Sequence, residues 1–400
     1  ITMLIRRLPI IPTRAIPRIS YSQFHTTVVN LNKRITGCDH KGHDFAFVFD
    51  IDGVLIRGKK PILQAKPALE ILNSHKIPYI LMTNGGGVLE RRKAEEVSEI
   101  TQLNPPISPL QIVQSHTPLK ALALHHAFNR VLVLGGDGDN ARHVAKQYGF
   151  QDIIMPIDIV YNNPSVSPHH RYTQEEFDKF AQPIDVTKPI EAIFVLNDPR
   201  DLNSDMQIVQ DLLNSENGLI GTKRNIHHNR NLHDPSIPII FSNNDYVYAN
   251  DYPLPRFGQG AFRIITERLY KITNGLKKHQ HLNSLILGKP FKIQYDFAHH
   301  VLIDWQNKLI NEDFNSEQIL PILGSEPTNT PFKKIYMVGD NPASDIKGAN
   351  DHGWESVLLK TGVYRDEDAI DTEAAKPTAG IFNNVEDAVI TILESHGIKV

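Results

Sequence analysis

Apolar residues come in short unbroken blocks that alternate with charged, helix-periodic stretches. Residues 45–49 are apolar at every position, without the polar alternation of a half-exposed strand, and predict a strand buried on both faces. Residues 66–75 carry Ala68, Leu69 and Leu72 at helical spacing. Residues 77–82 form a second buried block that ends at Thr83-Asn84. Residues 90–100 are charged and helical, and residues 111–114 begin another short strand. The same grammar returns later: 334–338 as a strand ending in Gly339-Asp340, 345–352 as a helix, 356–359 as a strand. Such repetition predicts an α/β fold, a parallel sheet with helices on both faces, in which ligands sit at the carboxyl ends of the strands.

Between these flanks lie further elements at 130–134, 141–149, 191–196, 206–213 and 239–241. They predict an inserted α/β domain over residues 117–250, splitting a core of 44–116 and 251–400. The polar, Asn- and Pro-rich stretches 215–238 and 311–331 read as surface loops.

Composition narrows the class. The 400 residues, 40% hydrophobic and 22% charged, can bury a sizeable core. A net charge of −3 offers no basic field for nucleic acid, and no apolar run is long enough for a transmembrane segment. Cys38 is the single cysteine, which excludes disulfides within the chain. Residues 1–38 are cationic and free of acids, the composition of a mitochondrial transit peptide. Losing the six Arg and Lys among the first 34 residues would take the net charge from −3 to −9.

Four pieces fall at or near predicted strand ends: Asp50-Ile51-Asp52-Gly53, Thr83-Asn84-Gly85-Gly86, Gly288-Lys289-Pro290, and Gly339-Asp340 with Asp345 beyond it. In a parallel sheet they converge on one edge. Carboxylates gathered there repel one another and ask for a hard cation such as Mg²⁺. Thr83, Asn84 and the amides of Gly85 to Gly87 are donors suited to phosphate oxygens, and Lys289 adds positive charge. A carboxylate nucleophile, an acid/base, a metal and an anion clamp are the parts of phosphoryl transfer.

These motifs, in order and strand context, resemble those of the haloacid dehalogenase (HAD) superfamily, over roughly residues 44–385. The resemblance implies a Rossmann-like core with an inserted C2-type cap. It implies Asp50 as nucleophile and Mg²⁺ ligand, and Asp52 as general acid and base offering its backbone carbonyl to the metal. Thr83, Asn84, Gly85 and Lys289 would hold the phosphoryl group. Asp340 would complete the metal site, with Asp345 in the same cluster supporting Lys289 or a metal-bound water. Only 30 residues separate Asp52 from Thr83, whereas about 200 separate Asn84 from Lys289, the late cap insertion of subfamily IIA. Ser242-Asn243-Asn244-Asp245 resembles its cap-exit segment, and Gly258-Gln259-Gly260-Ala261 its glycine turn. The presequence looks most like the eukaryotic mitochondrial branch, the cat eye syndrome critical region type.

The resemblance implies a Mg²⁺-dependent phosphatase of the mitochondrial matrix acting on a small phosphorylated metabolite, with a link to glycerophospholipid metabolism. A HAD scaffold used for binding or assembly, and a phosphotransferase, stand as alternatives. A homodimer through the cap is among the assemblies it allows. Tyr246 and Asn250, just past the expected cap exit, are candidate substrate contacts. Gly135-Gly136-Asp137-Gly138-Asp139 reads as a tight turn. The pairs His169-His170, His227-His228 and His299-His300 lack ligand spacing and read as solvated side chains.

Overall fold

The computed structural model describes residues 42–225, 231–248, 252, 254, 256–365 and 373–400. Six parallel strands form one sheet in the order Gly380–Phe382, Glu355–Leu359, Lys334–Gly339, Phe45–Phe49, Tyr79–Thr83, Ile112–Gln114. Strand Phe45–Phe49 is paired on both sides, and chain order runs outward from it in both directions. Its carboxyl end is therefore the switch point at which such a sheet opens a crevice. Asp50 is the first residue beyond it, and Asp340 the first beyond the neighbouring strand.

The unbroken apolar run of 45–49 follows from burial on both faces. Phe47 and Phe49 pack with Tyr79 and Leu81 beneath helices Ala65–Ser74, Glu90–Thr101 and Val385–Ser395. Ala46 and Val48 pack with Ile80, Met82 and Met337 against helix Lys292–Asn311. Truncating a fully buried side chain such as Phe47 to Ala costs about 3–5 kcal/mol.

A second sheet of five parallel strands follows the order Leu285–Ile286, Ile239–Phe241, Ala192–Val195, Arg130–Leu134, Asp152–Ile154. This corrects the expected end of the insertion at 250. Leu285 and Ile286 pair with Ile240 and Phe241, and helix Gln259–Thr273 seals the same sheet through Phe262 and Tyr270. The second sheet and its helices thus run to 286, two residues short of Gly288.

Residues 345–352, expected as one helix, begin instead as a wide π turn, Pro342–Ile346, before the short helix Lys347–Asp351. The described parts of 215–238 and 312–333 hold neither helix nor strand. Among the described residues no helix is long and apolar enough to cross a membrane.

Candidate active site

Asp50, Asp340 and Asp345 each bring one carboxylate oxygen within 4.8 Å of the others, and all three are buried. Three glycines permit this crowding. A Cβ on Gly53 would stand 2.4 Å from Asp340 Oδ2, one on Gly339 would stand 2.3 Å from the Asp345 carboxyl, and one on Gly362 only 1.6 Å from Asp340 Oδ2. Asp340 Oδ2 also accepts the Val363 amide at 2.6 Å. Gly362 and Val363 are site residues missed in the sequence, since neither side chain carries a polar or ionisable group to draw notice.

Lys289 reaches the cluster from just beyond the second sheet. Its Nζ lies 2.8 Å from Asp50 Oδ1 and 2.7 Å from Asp345 Oδ1. Burial alone would lower the Lys289 pKa, but Asp345 and Asp50 raise it above the ordinary range, so the ammonium stays charged. Burial drives the Asp50 carboxyl well above its usual value, Lys289 draws it back, and Asp345 and Asp340 raise it again. Asp340 is pushed up to about 7, by burial first and then by the charge of Asp345.

The wide turn at Pro342–Ile346 shapes Asp345. Its Oδ2 accepts the amides of Asp340 and Asn341 at 3.2 and 3.0 Å, while Oδ1 faces Lys289. Both oxygens are thereby engaged, which fits support of Lys289 and of the Asp340 loop rather than direct metal ligation. Tyr295 donates to the carbonyls of Ser344 and Asp345, pinning the turn from helix Lys292–Asn311.

Thr83 ends its strand buried, and Thr83 Oγ1 accepts the Gly85 amide at 3.0 Å. The Gly87 amide donates to His116 Nε2 at 2.9 Å. Two of the three glycine amides expected to face phosphate are thus committed within the protein, one to the strand end just before the loop and one to His116. Asn84 links the pieces: Oδ1 accepts the Lys289 amide at 2.7 Å, and Nδ2 donates to the Lys289 carbonyl and to Asp245 Oδ1 at 3.0 and 3.1 Å. Asp245, whose pKa is raised by burial, is a further residue that only the fold places here; its signal is the last position of the cap-exit segment.

Asp52 stands at the rim, with its side chain open to the cleft. The surrounding protein raises its pKa by desolvation, against the pull of Lys93. Its Oδ2 lies 4.0 Å from where a Gly85 Cβ would be, on the Thr83 side of the crevice. Tyr246 is exposed and tilts against Phe257 at 5.6 Å, on the hairpin Val247–Tyr248/Arg256–Phe257, and Asn250 lies outside the described residues.

The glycine-rich stretch at 135–139 is the turn between Arg130–Leu134 and helix Asn140–Tyr148. His299 and His300 are half-buried rather than solvated. His299 Nε2 meets Thr330 Oγ1 at 2.8 Å, and burial lowers its pKa to about 4. His227 and His228 lie outside the described residues.

One ammonium among three buried carboxylates leaves negative charge uncompensated, and an all-oxygen donor set of this kind suits a hard divalent cation. Asp50 and Asp340 offer the carboxylate oxygens for it.

Two family models, for haloacid dehalogenase-like hydrolase and HAD-hydrolase-like, match residues 47–151 and 286–388. The chain is 49% identical over 354 residues to a mitochondrial hydrolase of Saccharomyces cerevisiae, covering 88% of this chain and 96% of that one. It is 37% identical over 348 residues to a cardiolipin synthase (CMP-forming)/mitochondrial hydrolase fusion protein of Schizosaccharomyces pombe, covering 86% of this chain and 53% of that protein. Among solved structures, a glycerol phosphate phosphatase from Mycobacterium tuberculosis in complex with calcium superposes with a TM-score of 0.51 at 16% identity, over 86% of this chain and 74% of that chain. At that identity the likeness is one of fold. Family models over both halves of the core, and a relative matched along nearly its whole length, lead to one conclusion: the chain belongs to the haloacid dehalogenase-like hydrolases and is an enzyme of that class.

Proposed function

We propose that this hydrolase cleaves small phosphomonoesters through an aspartyl-phosphate on Asp50, under a cap formed by the second sheet. The observation that carries the reading is the clustering of the Asp50, Asp340 and Asp345 carboxylates, with the Lys289 ammonium paired to Asp50 and Asp345, next to Asn84. A bound Mg²⁺, held by the carboxylates of Asp50 and Asp340 with the Asp52 carbonyl, would neutralise charge on the phosphoryl oxygens and on the nucleophile.

The protein's own groups supply the rest. Asp50 attacks phosphorus while the bond to the leaving oxygen breaks, and Asp52 gives that oxygen its proton. The raised pKa of Asp52 suits a group that must first be an acid. Water then attacks phosphorus, Asp52 takes its proton, and Asp50 is released with inorganic phosphate. Thr83, the backbone amide of Asn84 and Lys289 hold the phosphoryl oxygens as charge moves onto them.

The substrate class we propose is a glycerophosphate or another phosphate of glycerophospholipid metabolism, and the location the mitochondrial matrix. The fused cardiolipin synthase of one relative and the mitochondrial names of both support this. The test is phosphate release from a panel of small phosphomonoesters with Mg²⁺, run beside Asp50→Asn. Release by the native protein and none by the variant is expected. Release that survives the substitution contradicts the assignment of Asp50. Transfer to an added alcohol in place of water identifies a phosphotransferase, and no turnover with any ester favours a binding or assembly role.

A further inference from the structure

The loop that follows Thr83 is held from two sides by residues of the inserted sheet. From one side comes a buried relay. The Gly87 amide donates to His116 Nε2 at 2.9 Å, His116 Nδ1 meets the Tyr148 hydroxyl at 2.7 Å, and Tyr148 reaches Glu90 Oε1 at 2.5 Å. Glu90 is fixed in turn by Thr117 Oγ1 at 2.7 Å and Lys120 Nζ at 2.9 Å. From the other side, Asn197 Nδ2 donates to the Gly86 carbonyl at 3.1 Å.

The relay has a single direction. A backbone amide can only donate, so Nε2 must accept. His116 is fully buried and its pKa is lowered to about 4, by burial first, so the ring is neutral and its proton sits on Nδ1. Nδ1 therefore donates to Tyr148, and Tyr148 donates to the Glu90 carboxylate. There is no slack in the packing either: a Cβ on Gly86 would stand 2.7 Å from the His116 ring, and one on Gly87 would stand 2.3 Å from Asn197 Nδ2. His116 and Glu90 belong to the core side, whereas Tyr148 ends helix Asn140–Tyr148 and Asn197 follows strand Ala192–Val195, both of the second sheet.

We propose that Tyr148, acting through His116, and Asn197 are positioning residues by which the inserted sheet holds the Gly85–Gly87 loop, and with it Thr83 and Asn84, in the phosphate-binding arrangement. The proposal rests on the phosphomonoesterase reading for its consequence on phosphate, but the relay itself can be tested without turnover.

Two readouts separate these. Hydrogen exchange of the full-length protein, followed on the peptide spanning residues 84–88, reports the Gly87 amide. Inorganic phosphate binding in the presence of Mg²⁺ reports the site. Tyr148→Phe keeps the ring and removes the donor to Glu90 and the partner of His116. It should speed exchange in that peptide about tenfold and weaken phosphate by about the same factor, the scale of one buried hydrogen bond. With a substrate, KM should rise more than kcat falls. His116→Gln keeps an acceptor near Nε2 and should retain phosphate affinity better than His116→Leu, a rescue that a purely packing role would not produce. Asn197→Ala tests the second contact in the same way and serves if Tyr148→Phe does not fold. Unchanged exchange in Tyr148→Phe overturns the relay. Faster exchange with unchanged phosphate affinity overturns its coupling to the site. A native protein that binds no phosphate overturns the functional reading, while the exchange result still decides the relay.

Discussion

The ammonium of Lys289 rests 2.8 Å from Asp50 Oδ1, with Lys289 1% exposed and Asp345 closing its other side. Removing the cation strands two carboxylates in a protein interior. Lys289→Met should therefore lower the stability of the metal-free protein by about 3 kcal/mol near pH 8, the scale for breaking a buried pair. The deficit should shrink toward pH 4 as Asp50, whose pKa burial holds well above the usual value, takes a proton. Chemical denaturation in EDTA at the two pH values checks both statements, and activity should fall about a hundredfold or more.

Metal and pH are linked through Asp340. Its folded pKa of about 7 lies above the ordinary 3.8, so its contribution to the stability of the metal-free protein is fully present below about pH 4 and is lost as pH rises through 7. A divalent cation replaces that proton. Mg²⁺ should raise the melting temperature more at pH 8 than at pH 5.5, and its affinity should tighten up to about tenfold per pH unit until Asp340 is ionised. Thermal melts with Mg²⁺ and with EDTA at both pH values measure this. An equal gain at both would count against Asp340 as a ligand.

Gly362 carries the sharpest steric demand at the site, with a Cβ placed 1.6 Å from Asp340 Oδ2. Gly362→Ala must displace the Asp340 carboxyl or the loop that donates the Val363 amide to it. We expect Mg²⁺ affinity, measured by calorimetry, to fall at least about tenfold, the effect of disturbing a group that orients a metal ligand.

If Asp52 protonates the leaving oxygen, the cost of losing it depends on how much that oxygen needs a proton. Asp52→Asn should reduce turnover of an alkyl phosphate about 10²- to 10⁴-fold. It should harm p-nitrophenyl phosphate much less at the first step, because that leaving group departs unprotonated. Single-turnover kinetics on the two substrates test this, and equal losses would argue for another role at the rim.

The site is legible in the sequence where one residue both ends a buried strand and carries the chemistry. Asp50, Thr83 and Asp340 each follow an unbroken apolar run, and a parallel sheet brings such ends together. The end of the inserted sheet is not legible in this way. Its last strand is only Leu285 and Ile286, both half-buried, and the helix before it has the same period as a core helix. His116 and Tyr148 are silent for a different reason. Their role exists only in contact, through a hydrogen-bond order set by residues from Glu90 to Lys120 that no local spacing reveals. Asp345 lies between the two cases: its motif is visible, but the turn that spends both its oxygens is not.

The central claim is that Asp50 becomes phosphorylated, and trapping that phosphate tests it most directly. The protein, mixed with Mg²⁺ and a radiolabelled phosphomonoester that it turns over, is quenched in acid within milliseconds and mapped by peptide. Label that hydroxylamine releases, carried on the peptide containing Asp50 and missing from Asp50→Asn, is the predicted result. Turnover without any labelled protein intermediate, or label that persists in Asp50→Asn, would contradict it.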